Sequence, residues 1–215
     1  MHYERNYAYP LLVWLHGPKN DERQLIRVMP VISMQNFVGI APRGTAIADD
    51  GTPGYDWCQS DEHIQQAEHR IFDSIEVAAR NFHVARNKIF LAGFDTGGTM
   101  ALRVALRHPR HFAGIASFCG RFPAGHSPLE HLVEARRLPL LLAVGRYSEA
   151  YPSDEVCQNL RLLHTAGMSL MLRQYPSGHE LTPQMLGDLN RWIMEETCPS
   201  LDPAEADSQW SREVD

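Results

Sequence analysis

Short apolar runs alternate with longer amphipathic runs along most of the chain. The apolar runs are typical of strands buried on both faces of a sheet, and they predict strands over residues 11–15, 37–41, 88–91, 112–118, 138–144 and 169–175. Apolar residues at helical spacing predict helices over residues 22–33, 61–82, 99–107, 128–135, 153–166 and 182–196. The stretch 42–60 is rich in Gly, Pro and Asp and is predicted as a loop. Strands that are each followed by a helix indicate an α/β fold, with a mostly parallel central sheet and helices on both faces.

A sharp turn is indicated directly after the strand predicted at 88–91. The sequence there is Gly93-Phe94-Asp95-Thr96-Gly97, and a helix-forming stretch follows at once. A strand, two glycines around one central residue and a helix are the layout of a nucleophile elbow, which holds one side chain exposed above the sheet. Serine is the usual central residue of such a turn, but here it is Asp95.

Three further segments with chemically useful residues follow predicted strands, and they are His16-Gly17, Gly145 and His179. Ligands of parallel α/β sheets bind at the carboxyl ends of the strands. We therefore expect these segments to lie beside Asp95 at one edge of the sheet.

The order of these segments resembles that of the phospholipase/carboxylesterase family of α/β-hydrolases, which includes bacterial carboxylesterases and acyl-protein thioesterases. The resemblance covers roughly residues 10–195 and rests on short motifs in the same order: Leu15-His16-Gly17, Ala41-Pro42-Arg43-Gly44, residues 89–102 around the elbow, residues 119–123, Gly145 and Gly178-His179-Glu180. It implies the α/β-hydrolase fold without an inserted lid domain, an ester-like small-molecule ligand, and a site that holds a nucleophile, an acid and a histidine in that chain order. Trp57 resembles the loop tryptophan of the family and is expected near the pocket.

The resemblance breaks at the positions that would carry the chemistry. Asp95 stands where the family has serine, and its carboxylate offers no hydroxyl proton for a histidine to remove. The residue after His16-Gly17 would give a backbone N–H to the oxyanion, but here it is Pro18, which has none. The N–H of Thr96 remains as the second oxyanion donor that the resemblance implies.

The sequence supports the histidine position of this series better than its acid position. His179 keeps its place in the series and is expected to face Asp95. The resemblance places the acid at Ser148, whose hydroxyl carries no negative charge. Glu149 is adjacent and would reach the histidine after a shift of one residue, so both residues remain candidates for the acid position.

Three functions are compatible with these residues. The first is a carboxylesterase-type hydrolase with a degenerate centre and weak or absent serine-esterase activity. The second is a hydrolase that acts on alkyl carbon, as haloalkane dehalogenases do, through an ester on Asp95 and a water activated by His179. It would need donors for the leaving group, for which Trp14, Tyr55 and Trp57 are the candidates near the rim. The third is a non-catalytic pseudoenzyme that binds a small molecule or a protein.

Composition narrows the class of protein. The net charge is −6 over 215 residues, and the segment 201–215 holds five acidic residues against Arg212 alone, so the remaining chain is nearly neutral. Such a chain is not expected to bind nucleic acid, and no apolar run is long enough to span a membrane. The four cysteines lack metal-type spacing, and neither a metal nor a cofactor is expected. We expect a cytoplasmic protein with reduced thiols, one domain over 1–197 and a disordered acidic tail over 198–215; the oligomeric state is not indicated.

Overall fold

The computed structural model describes residue 4 and residues 6–33, 35–49 and 52–197. The acidic segment 198–215, predicted as a tail, lies outside the described residues. The strands are β1 (Tyr9–Leu15), β2 (Val38–Ile40), β3 (Thr45–Asp49), β4 (Thr52–Asp56), β5 (Val84–Phe94), β6 (Gly114–Phe118), β7 (Leu140–Gly145) and β8 (Leu170–Tyr175). The helices are α1 (Gln24–Ile32), α2 (Asp61–Asn81), α3 (Thr96–Arg107), α4 (Leu132–Ala135), α5 (Ser153–Thr165) and α6 (Pro183–Thr197), and a 3₁₀ turn covers Pro109–His111.

Six strands form one parallel sheet in the order β2-β1-β5-β6-β7-β8. Strand β1 pairs with β2 and β5, and all of its residues are buried. Because successive side chains of a strand point to opposite faces, Leu11, Val13 and Leu15 enter one half of the core. Leu12 and Trp14 enter the other half. The prediction of a strand covered on both faces is therefore confirmed.

Helices cover both faces of this sheet. Helices α2 and α3 pack on the face that receives Leu11, with Ile64 and Ile71 of α2 fully buried there. Helices α1 and α6 cover the other face, where the Trp192 ring of α6 lies edge-on to Phe90 of β5 with centroids 5.8 Å apart. These layers confirm the predicted α/β-hydrolase fold. In the described part of the chain, no lid domain interrupts the loop between β6 and α4, and no helix is long and apolar enough to cross a membrane.

The prediction of a loop over 42–60 is wrong in part, because β3 and β4 form an antiparallel hairpin within it. An isolated bridge between Asn20 and Tyr55 joins this hairpin to the loop after β1. The sequence Asp50-Gly51 between the two strands lies outside the described residues, but this dipeptide is a typical hairpin signal. The helix predicted over 128–135 is shorter than expected, since α4 begins only at Leu132.

Because the strands are parallel, their carboxyl ends form one edge of the sheet and their amino ends form the opposite edge. The carboxyl ends of β1, β5 and β7 lead to His16, Asp95 and the loop after Gly145, and the loop after β8 carries His179. The four expected segments therefore share one edge. The opposite edge, where β6 and β7 begin, carries the 3₁₀ turn and α4.

Candidate active site

Asp95 occupies a strained turn between β5 and α3. Its backbone has φ 52° and ψ −118°, a left-handed conformation that is costly for a residue with a Cβ. The Asp95 N–H holds the turn by donating to the Phe118 carbonyl at 2.8 Å. A Cβ at Gly97 would overlap the carbonyl oxygens of Leu15 and His16, so only glycine lets α3 approach β1 this closely. The side chain of Asp95 is 28% exposed, as the elbow geometry requires.

His179, on the loop after β8, faces Asp95 directly. Its Nε2 lies 2.9 Å from Oδ2 of the carboxylate, and its side chain is 20% exposed. The carboxylate oxygen lies off the direction of the ring N–H, so this is a short contact without the angle of a good hydrogen bond. The Phe94 ring, with its centroid 6.0 Å from that of the imidazole, packs beside it. The elbow and the histidine thus meet at the distance at which a proton could pass between them.

Ser148 contacts the other side of the imidazole. Its Oγ lies 2.8 Å from Nδ1 of His179 and also accepts the Tyr151 N–H at 3.0 Å. The residue is only 5% exposed. The Nε2 atom faces a carboxylate oxygen, which fits a proton on that nitrogen. With that tautomer, the Ser148 hydroxyl is placed to donate to Nδ1.

The loop after β7 decides which residue reaches the histidine. The Tyr147 N–H donates to the Ser177 carbonyl at 3.0 Å, which ties this loop to the one after β8. The turn then directs Ser148 at His179 and leaves the next residue, Glu149, exposed. No contact joins Glu149 to His179 within the described ranges. The structure therefore brings Ser148, rather than Glu149, to the acid position.

The segment 16–20 offers few donors to an oxyanion. The Gly17 N–H donates to the side-chain oxygen of Gln24 at 3.2 Å, and Pro18 has no N–H. The same Gln24 oxygen accepts the indole N–H of Trp14 at 2.8 Å, and this second hydrogen bond fixes the orientation of the Gln24 side chain. Thr96 begins α3, and the first N–H groups of a helix have no intrahelical partner. The N–H of Thr96 is therefore the donor that remains at the elbow.

His16 and Trp57 support this segment from inside the core. They are 0% and 3% exposed, so Trp57 lies behind the expected pocket and does not line it. Nε2 of His16 accepts the Gly44 N–H at 3.0 Å, and Nδ1 therefore donates to the Gly17 carbonyl at 2.8 Å. Burial lowers the pKa of His16, in agreement with a neutral ring. The indole N–H of Trp57 donates to the His16 carbonyl at 3.0 Å.

Comparison with known proteins shows which family the chain belongs to. A sequence profile of the phospholipase/carboxylesterase family matches residues 4–196. The chain belongs to this family. A probable carboxylesterase of Oryza sativa subsp. japonica is 27% identical over 208 residues, covering 88% of this chain and 77% of that protein. A probable inactive carboxylesterase from the same plant is 28% identical over 107 residues, covering 49% of this chain and 44% of that protein. The crystal structure of Arabidopsis thaliana SOBER1 has the same fold, with a TM-score of 0.74 and 18% identity over 88% of this chain and 100% of that chain.

Cys119 is another nucleophilic side chain beside the elbow of this phospholipase/carboxylesterase protein. It is 1% exposed, and its backbone has φ 55°. Burial raises the pKa of its thiol, and the negative charges of Asp95 and Glu180 act in the same direction. Because the thiolate is the reactive form of cysteine, this enclosed thiol is poorly suited to act as a nucleophile.

Sequence reasoning did not find two supporting residues of this family member. Gln24 lies at the start of α1 and is 8% exposed, and a buried glutamine beside an apolar helical stripe is the signal that points to it. Tyr151 acts through its backbone N–H, for which no side-chain signal exists. Among the described residues, no group of three His, Cys, Asp or Glu side chains could hold a metal ion.

Proposed function

We propose that this protein keeps the frame of a carboxylesterase but has a degenerate catalytic centre, with weak or absent serine-esterase activity. The observation that carries the proposal is the order of the groups around His179. A carboxylate stands at the elbow, 2.9 Å from Nε2, and a serine hydroxyl lies 2.8 Å from Nδ1. A serine hydrolase needs the hydroxyl at the elbow and the carboxylate behind the imidazole. Relative to that arrangement, the hydroxyl and the carboxylate on either side of His179 have changed places.

Ser148 does not serve as the nucleophile from its present position. It is 5% exposed, and the imidazole of His179 separates its hydroxyl from the elbow. Its Oγ also accepts the Tyr151 N–H, which lowers its nucleophilic character. A substrate carbonyl held at the elbow would therefore meet Asp95 and not this hydroxyl.

Asp95 also opposes the charge that ester hydrolysis creates. The tetrahedral intermediate carries a negative oxygen, and two like charges about 4 Å apart repel by about 4 kcal/mol at an effective dielectric constant of about 20. Such a penalty slows a reaction by about 10³-fold. Attack by the carboxylate itself would form a mixed anhydride, a reactive adduct that is poorly suited to ester cleavage.

The oxyanion segment supports the same conclusion. The Gly17 N–H is already bound to Gln24, and Pro18 contributes no donor. Loss of one oxyanion donor costs about 10²–10³ in rate. The relative described as a probable inactive carboxylesterase, although it aligns with only half of this chain, agrees with a loss of activity within the family.

Hydrolysis at alkyl carbon is the second candidate, and the short contact between Asp95 and His179 is the feature that favours it. Its need for leaving-group donors is not met by the two indoles. The Trp14 N–H donates to Gln24, and the Trp57 N–H donates to the His16 carbonyl. We therefore rank this function below the degenerate carboxylesterase.

The decisive test is to restore the order of the two end groups. Hydrolysis of p-nitrophenyl acetate is measured for wild type, Asp95→Ser, Ser148→Asp and the double variant. We expect no activity above background for wild type. The Asp95→Ser variant alone lacks a carboxylate at Nδ1, a defect that costs about 10⁴ in a serine protease. The double variant should exceed Asp95→Ser by about 10²-fold or more, and adding Pro18→Gly should raise it by about 10-fold or more.

Two controls make the outcome specific. His179→Ala in the double variant should abolish the gain, and a fluorophosphonate probe should label position 95 of the double variant but not wild type. Robust wild-type hydrolysis that Asp95→Asn removes would overturn the proposal, whether on the ester or on a haloalkane. A folded double variant without activity would also count against it, since the exchange of end groups would then not be the principal defect.

A further inference from the structure

A cleft lies at the edge of the sheet opposite Asp95. It runs between the 3₁₀ turn and α4, at the amino ends of β6 and β7, and we call it the basal groove. It consists of two compartments of about 250 and 580 Å³ that share Pro109, Arg110 and Glu134 as walls. The larger volume lies in the range of small-molecule sites.

The smaller compartment is lined mainly by cationic and imidazole side chains. Its further walls are Arg107, His108, His111 and His131. The rings of His108 and His111 both pack steeply against Phe72, with centroids 5.2 Å away in each case. These contacts hold the two imidazoles in place before any ligand arrives, so little entropy is lost when they bind one.

The larger compartment is mostly apolar. Its walls beyond the shared residues are Phe112, Ala113, Val133, Arg137, Leu138 and Pro139. Val133 is 74% exposed, which places an aliphatic side chain in contact with water at the lip of the groove. An apolar chain that covers these walls would remove this surface from water.

The charges of the groove favour an anion. Arg107 is bound to Glu68 of α2, with Nη1 3.0 Å from Oε1, and His108 lies 3.3 Å from the same oxygen. Arg110 pairs with Glu134 at 3.0 Å but is 80% exposed, so its guanidinium is free to turn toward a ligand. Three arginines line the groove, and the carboxylates beside them are Glu134 in its wall and Glu68 behind Arg107, so one positive charge remains in excess. An anionic head is therefore attracted to the smaller compartment.

We propose that the basal groove binds a fatty carboxylate, with its head among Arg110 and the histidines and its chain along Val133. A compartment lined by charged and imidazole side chains next to one lined mainly by apolar side chains matches the two ends of such an amphiphile. Neither an uncharged alcohol nor a short carboxylate would use both compartments. The binding does not depend on catalysis at Asp95.

Octanoate is the probe, titrated below its micellar range into the full chain, with affinity measured by calorimetry and location by amide NMR shifts. We expect saturable binding with shifts around the 3₁₀ turn and α4. Affinity should rise about fourfold for each added pair of methylenes, as half-burial of the chain predicts. Acetate and octanol should bind at least 10-fold more weakly, because each lacks one of the two interactions.

Matched variants separate the groove from general surface effects. Arg110→Gln should weaken octanoate about fivefold, since a charge-assisted contact is lost and Glu134 is left unpaired. Arg121→Gln removes an equally long Arg–Glu contact at the other edge, 3.0 Å to Glu155, and should change nothing. Val133→Asp should reduce affinity at least 10-fold, whereas Ile26→Asp, at a site 73% exposed on α1, should not.

Four results would overturn the proposal. Three are octanoate titrations that do not saturate, shifts that map to the elbow around Asp95, and equal losses in Arg110→Gln and Arg121→Gln. The fourth is equal affinity for octanol, because it would show that the cationic compartment has no role.

Discussion

His179 makes a contact at each ring nitrogen, and on the proposed function these contacts prevent it from activating a nucleophile for ester hydrolysis. A general base needs a free lone pair on the nitrogen that faces the nucleophile. Here that nitrogen faces a carboxylate, and Oγ of Ser148 lies 2.8 Å from the other ring nitrogen. On the proposed function, a hydroxyl, an imidazole and a carboxylate are all present, but the hydroxyl is not placed where His179 could take its proton for attack on a substrate.

At the same scale, His16 gives a testable pH dependence. Burial lowers its pKa below the ordinary value of 6.5, so the unfolded chain binds more protons than the native protein below that pH. The stabilisation is fully present above pH 6.5 and is lost as the pH falls toward the folded-state pKa. The slope is at most about 1.4 kcal/mol per pH unit.

Urea unfolding between pH 8 and pH 5 measures this effect. His16→Gln should be less stable than wild type at pH 8 by about 1–3 kcal/mol, because the Gly44 N–H loses a well-placed acceptor. Its stability should then fall less steeply on acidification. His69→Gln, at an exposed position of α2, should keep the wild-type pH profile. Parallel profiles for His16→Gln and wild type would contradict the assignment.

Sequence alone predicted the residues that follow strand ends, because those positions are set by the order of motifs. Asp95, His179 and Pro18 are of this kind. The resemblance placed the acid position at Ser148, but the carboxylate of Glu149 kept that residue a candidate, since the choice depends on the path of the loop after β7. The path of this loop is fixed by a hydrogen bond from the Tyr147 N–H to the Ser177 carbonyl, which no pattern of side chains reveals.

At the scale of elements, the loop that carries His179 is held between β8 and α6. Asp188 of α6 accepts the Tyr175 hydroxyl at 2.7 Å and lies 2.9 Å from Nη1 of Arg173, both residues of β8. Asp188 is 8% exposed, so its charge is stabilised by these partners. The cluster fixes the strand and helix on either side of the histidine loop.

Replacement of Asp188 should therefore be costly. Asp188→Asn removes the charge that faces Arg173 and should lower the free energy of unfolding by about 2–3 kcal/mol, as measured by urea denaturation. Glu76→Gln, which breaks an ion pair whose side chains are 65% and 51% exposed, should cost less than about 1 kcal/mol. Similar losses in the two variants would show that the Asp188 cluster adds no more than a surface pair.

The β3–β4 hairpin shows why some elements cannot be predicted from the pattern of apolar and polar residues. Its strands contain Pro, Gly, Ala and Asp, which are poor strand formers, and they lie outside the central sheet. Tertiary contacts support it instead. Arg43 binds Glu22 and lies over the Tyr55 ring with 4.8 Å to the centroid, and Asn20 bridges to Tyr55. Contacts between distant segments override local propensity at this site.

At the scale of the molecule, the alternation of apolar and amphipathic runs was enough to predict the layers. A parallel sheet must be covered on both faces, and the connections between its strands must be long enough to hold a helix. The strand order β2-β1-β5-β6-β7-β8 did not follow from that alternation. It depends on which edge each crossover takes, and periodicity carries no information on that choice.

The exchange of hydroxyl and carboxylate across His179 also restricts how this protein could evolve. Changing only the elbow leaves an imidazole between two alcohols, and changing only Ser148 leaves it between two acids. On the proposed function, each single change still lacks one of the two groups, so we expect turnover to rise fully only when both positions change. The effects of the two substitutions on turnover are therefore expected to be non-additive.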